Sequence, residues 1–278
     1  MRATARHAAV VVGLAACAAG GAACQDNLTP VGGDDLTPPL ACLPDRDGVL
    51  TAAELPVALG VTATYYASPS GRTRTVDLAG VDRDGVLTWD LSAEDPDDDV
   101  VDIGPTALAG HWYAGDFPGG AFVTRDGDVD AIYHLDDAGL WLHGVASAEP
   151  DPPAGRTLLR YDAPVAVLRL PLADGDAWTE TGTVSTGTLQ GLPYVGTDTY
   201  EIEAAGAGDL EVPYVRFAPT LRVRTHVTVA PAAGGSTTSR RQTLFLFECF
   251  GEVARAESMP DEPAADFTTA AYVRRFAL

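Results

Sequence analysis

Lysine does not occur in the 278 residues; all 18 basic side chains are arginine, set against 39 aspartates and glutamates. That absence removes the chemistries built on a lysine amine: the phosphate-binding loop, the protein-kinase centre, the Ser-x-x-Lys acyl-enzyme group and the pyridoxal phosphate Schiff base. The Gly-x-Ser-x-Gly elbow, the His-Glu-x-x-His helix and the Gly-x-Gly-x-x-Gly loop are also missing, and nothing selects a catalytic pair from the many aspartates. No catalytic residue is assigned. Cysteine is scarce, at 17, 24, 42 and 249, and no two stand at the Cys-x-x-Cys spacing of a zinc or redox site. Positive charge is short overall: the formal charge is −21, which opposes binding to nucleic acid and to anionic lipid headgroups. Residues 18–155 hold 24 acids and 5 arginines, and residues 156–278 hold 15 acids and 11 arginines, so the acidity lies in the first half.

What is present begins with an export signal. Arg2 and Arg6 precede a short apolar run from Ala8 to Ala16, too short for a bilayer span, which takes about 20 residues. The run ends in Leu14-Ala15-Ala16-Cys17, which resembles the lipid-attachment box of bacterial lipoproteins. Residues 1–16 therefore read as a signal peptide and Cys17 as the lipidated residue, with Cys24 second because Gly21 stands where a larger aliphatic is wanted. Residues 17–41 are rich in glycine, proline, alanine and aspartate and read as a tether reaching about 25–30 Å as a flexible coil.

From 42 to 278 the apolar residues alternate rather than follow a helical period. In Leu221-Arg222-Val223-Arg224-Thr225-His226-Val227, one set of positions is apolar and the other charged, which predicts a strand with one wet face. Similar segments separated by Asp136-Asp137-Ala138-Gly139, Asp174-Gly175 and Gly234-Gly235 predict an all-β domain. Its form is a large curved antiparallel sheet, half-barrel or sandwich-like, with two lobes meeting near 149–155. Short helices are expected only at Thr51–Leu55 and Phe267–Tyr272. Cys42 opens this domain and Cys249 ends a strand-like run, so an oxidising compartment favours a disulfide between them.

The heptapeptide Asp-Arg-Asp-Gly-Val-Leu-Thr occurs at 45–51 and at 82–88. Laid on an EF-hand loop, the first copy puts Asp45 at position three, Asp47 at five, Gly48 at six and Glu54 at twelve, an oxygen set suited to calcium. Leu43 occupies the first ligand position, and Asp-x-Asp-Gly also builds an ordinary turn before a strand, so both readings stand here. His134 and His143 flank a hairpin turn; one register would bring them face to face, with His111 nearby and Asp136 or Asp137 as further zinc ligands. The aromatics Trp89, Trp112, Trp141, Trp178, Tyr65, Tyr66, Tyr113 and Tyr194 suit either a ligand groove or a core.

Several blocks resemble a family of uncharacterised predicted lipoproteins of Gram-negative bacteria: Cys42-Leu43-Pro44, Ala107-Leu108-Ala109-Gly110-His111-Trp112-Tyr113-Ala114, Phe117-Pro118-Gly119-Gly120, Leu192-Pro193-Tyr194 and Phe247-Glu248-Cys249-Phe250-Gly251-Glu252. The resemblance spans most of 42–278 and implies no activity. Leu170-Pro171-Leu172 through Trp178, with Leu221–Arg224 and Gly251–Arg255, is more loosely similar to secreted proteins whose curved sheet resembles the half-barrels that carry lipoproteins. The expectation is a non-enzymatic binding or structural module, lipid-anchored at the outer membrane or cell surface, whose partner is a protein or an apolar ligand. The alternatives are an apolar-ligand or lipid carrier and a metal- or carboxylate-dependent hydrolase.

Overall fold

A computed structural model describes residues 42–232 and 235–277; Cys17, Cys24 and the tether lie outside the described residues. Residues 42–278 form one compact unit. The first strands are β1 Val49–Leu50, β2 Ala63–Ala67, β3 Arg74–Thr75, β4 Val81–Arg83, β5 Val86–Asp90 and β6 Asp99–Ile103. The next are β7 Thr106–Ala107, β8 Phe122–Asp126, β9 Val129–Asp136, β10 Gly139–Ser147, β11 Leu158–Arg169 and β12 Leu172–Ala173. The last are β13 Ala177–Leu189, β14 Leu192–Val212, β15 Val215–Pro231, β16 Thr238–Phe247, β17 Gly251–Ser258 and β18 Thr269–Phe276.

The domain is all-β, as the alternation predicts. β1 pairs with β12, and the other sixteen strands form one sheet in the order β6-β2-β18-β17-β16-β15-β14-β13-β11-β10-β9-β8-β7, with β3 on β18 and the β4–β5 hairpin on β14. The neighbours are antiparallel except β5, which runs parallel to β14. That approach needs Gly208, where a Cβ would overlap the Leu87 carbonyl oxygen. The sheet does not close into a barrel.

It does curl. β17 and β8 are eight places apart in the strand order, about 38 Å in a flat sheet at ~4.8 Å per strand. Yet Arg255 of β17 lies 3.9 Å from Asp126 of β8. The face that carries this contact is the inner one. Around it packs the largest core, including Leu142, Val184, Ile202, Leu221, Val223 and Leu246. A second core, with Trp89, Phe245 and Phe267, lies on the outer face beneath β5 and the segment before β18. A third forms where Tyr113 and Phe117 cover Ile132 and Ala146.

Two local expectations are corrected. At Thr51–Leu55 there is a single 3₁₀ turn, Ala52–Glu54, because Pro56 follows immediately and Glu54 folds back to accept from the Thr51 amide. Phe267–Tyr272 is not helical: from Thr269 the chain becomes β18, paired with β17, and Phe267 is anchored in the outer core. Residues 149–155 link β10 to β11, which pair directly through Val145 and Leu159.

Candidate functional site

The predicted pairing of Cys42 with Cys249 is present, with Cα atoms 5.5 Å apart. It brings the first heptapeptide against the end of β16. The Cys249 amide donates to the Glu54 carbonyl at 2.8 Å, and the Arg46 amide donates to the Glu248 carboxylate at 2.6 Å. Carboxylate oxygens of Asp45, Glu54 and Glu248 thereby lie within 4.8 Å of one another, Glu54 and Glu248 being buried and Asp45 exposed.

Two of the three expected calcium residues therefore meet, and the third does not. Asp47 accepts from the Val49 amide at 2.7 Å, and Asp45 accepts from the Asp47 amide, so this loop is a turn that launches β1. The second heptapeptide is likewise a hairpin turn, with Asp84 and Gly85 both at positive φ and Asp82 accepting from the Gly85 amide. Glu248 takes the place assigned to Asp47, and its position beside Cys249 is the signal that would have found it. The donors suit a hard cation in type, but three carboxylates fall short of the six to eight oxygens calcium takes.

The histidines divide. His111 Nδ1 donates to the Tyr113 hydroxyl at 2.9 Å, and that hydroxyl donates to buried Asp130, which also receives Arg125. The group ties the 111–117 segment to β9. His134 and His143 do meet, Nδ1 to Nε2 at 2.6 Å, on the outer face of the β9–β10 hairpin. Most of the eight aromatics named from the sequence serve as core: Trp89 and Tyr113 are fully buried, and Tyr65, Trp178 and Tyr194 nearly so.

The inner face is filled by its own polar side chains. Tyr161 donates to Asp198 at 2.5 Å and so receives the proton of Tyr200, 2.7 Å away. Burial pushes the Asp198 carboxyl up, partly offset by the Tyr161 bond. Further round the curl, Glu252 bonds both Arg255 and Arg274, and Glu257 receives Gln242 at 3.0 Å. Burial alone would raise the Glu252 carboxyl; the two guanidinium groups outweigh it and hold it at about 2.

A concavity of about 510 Å³ opens on the outer face instead. Two rungs of the sheet make its floor. Thr179, Glu201, His226 and Arg241 align across β13, β14, β15 and β16, and beside them Ala177, Glu203 and Arg224 do the same. The loop between β17 and β18 forms a wall, held by Asp266 on Arg224 and by Arg241 Nε donating to the Glu262 carbonyl at 2.9 Å. Acids thus occupy β14 while cations occupy β15 and β16. His226 contacts Glu201 at 2.8 Å, and Arg224 lies 3.9 Å from Glu203. The Arg241 Nη groups make no hydrogen bond or ion pair among the described residues. These residues were legible only as a polar strand face, because register decides which of them share a rung.

The chain matches no protein-family model, and neither a curated protein nor a solved structure matches it at significance. Among the described residues no helix is long and apolar enough to cross a membrane, which says nothing of spans made by strands.

Proposed function

We propose that the chain is an exported protein held to a membrane by lipid on Cys17, and that its β domain is a non-enzymatic binding module. Its ligand, on this reading, is polar, bears charge of both signs and sits over Glu201, Glu203, Arg224, His226 and Arg241. The observation that carries the binding reading is the concavity itself: a pocket within the usual few-hundred Å³ range, with an acidic strand beside two basic ones. The ionisable groups there are mostly committed to one another, which suits recognition better than proton transfer. The inner face, filled by Tyr161, Tyr200, Glu252, Arg255 and Arg274, speaks for a polar ligand over an apolar cargo. Leu14-Ala15-Ala16-Cys17 and the resemblance to predicted lipoproteins support the anchor.

Calorimetric titration with trialanine, a zwitterionic probe, tests the site. The wild type is expected to bind, and Arg241→Glu to bind at least tenfold more weakly with an unchanged circular dichroism spectrum. Absence of binding, equal binding by the variant, or preference for a fatty acid would each refute the polar reading. The anchor is tested separately by metabolic labelling with a fatty acid analogue. Wild type is expected to take the label and Cys17→Ser to lose it; equal labelling of the two rules Cys17 out.

A further inference from the structure

We propose that His134 and His143 form a two-nitrogen site for a late divalent transition metal on the outer face of the β9–β10 hairpin. The site is separate from the polar concavity and from the oxygen-only cluster of Asp45, Glu54 and Glu248. It lies at a register shift. Trp141 pairs with His134 and Leu142 with Tyr133, then the ladder skips to Gly144 opposite Ile132, leaving His143 unpaired in a bulge. Alternation puts His143, two residues after Trp141, on the face that Trp141 shares with its partner His134, and the bulge takes His143 out of the ladder there. Gly144 permits the step, with φ at +144° and no space for a Cβ against the Leu159 carbonyl.

Both rings are positioned by neighbours. His134 lies parallel to the Trp141 indole, with an interplanar angle of 7° and centroids 6.0 Å apart. The indole Nε1 donates at 2.9 Å to Asp136 Oδ1, which also receives the Ala138 and Gly139 amides and is thereby fixed at the turn. Asp136 Oδ2 is then 3.8 Å from His134 Nε2. That carboxylate lies on the Nε2 side of the ring, beyond hydrogen-bond distance, and leaves Nδ1 facing His143. His143 fits against Gly119, where a Cβ would come within 2.8 Å of its Cε1. Among the described residues, Asp136 is the charged group within 4 Å of the pair.

The nitrogens are 2.6 Å apart. Two bonds of about 2.0–2.1 Å to one metal set nitrogens roughly 3 Å apart, so a small ring rotation opens the clamp. His134 retains 28% of its side-chain exposure, which leaves the remaining coordination positions open to water. An open imidazole site without geometric selection follows the Irving–Williams order, Cu²⁺ above Ni²⁺ and Zn²⁺.

The test titrates the full chain, stripped with EDTA, with Cu²⁺, Ni²⁺ and Zn²⁺ at pH 7.5, by calorimetry and by electron paramagnetic resonance for copper. One Cu²⁺ bound through two nitrogens is expected. Affinity should fall at least tenfold in His134→Ala and in His143→Ala, by up to about tenfold in Asp136→Asn, and not at all in His226→Ala. Circular dichroism confirms that each variant is folded. Unchanged copper affinity in either single alanine variant, or a spectrum with one nitrogen ligand, overturns the proposal.

Discussion

Removing the Cys42–Cys249 disulfide, by reduction or as Cys42→Ser/Cys249→Ser, is expected to cost about 5 kcal/mol and lower the melting temperature by about 10–20 °C. The bond closes a loop across a sequence separation of 207, among the longest this chain allows, so the unfolded ensemble gains much freedom when it is cut. The loss is also local. Segment 42–55 is held to the body by β1 on β12, by the Cys249 and Arg46 amide bonds, and by Leu50 and Leu55 in the inner core. Freed at Cys42, it should fray first, and limited proteolysis should cut there before elsewhere in the domain. Thermal denaturation with and without reductant decides the matter. Coincident midpoints would show that the bond adds nothing, and mass spectrometry finding both thiols free in the exported protein would show that it does not form.

Glu252→Gln is expected to be nearly as damaging, at about 3–5 kcal/mol, because it strands buried cations instead of deleting a contact. Arg274 is almost wholly buried and its described ion pair is with Glu252 alone, whereas Arg255 retains Glu257 at 3.5 Å. The double variant Glu252→Gln/Arg274→Met should recover most of the loss, since an apolar replacement of a whole buried pair is often neutral or better. A single variant within 1 kcal/mol of wild type in urea denaturation would contradict the argument. The same carboxylate predicts an acid response. Its folded pKa of about 2 lies below its ordinary 4.5, so the native state binds this proton less readily than the unfolded chain. Its stabilisation, on the order of 3 kcal/mol, is therefore complete above about pH 4.5 and disappears as pH falls towards 2. In Glu252→Gln that part of the acid slope should be missing.

How much of this could be read in advance follows from the range of each interaction. Alternation along Leu221–Val227 placed those side chains on two faces because strand geometry is local. The Asp-x-Asp-Gly turns followed from side-chain bonds two or three residues long. Even the disulfide was accessible, since four cysteines leave few pairings. Phe267–Tyr272 misled because a short apolar run fits either period, and pairing with β17 decided for strand.

The candidate sites depend on register, which no local pattern encodes. Glu201 and His226 share a rung only because β14 and β15 pair as they do, with shifts further along at Ala204/Ala207 and Gly208/Leu210. His143 meets His134 at a bulge, Glu248 replaces Asp47 beside Glu54 through the disulfide, and Glu252 gains its counter-charges through the curl. By itself the sequence determined an acidic, lysine-free, all-β chain, because composition and alternation act over a few residues. Only the tertiary structure decided which charges meet, because those meetings are made by strands up to 200 residues apart.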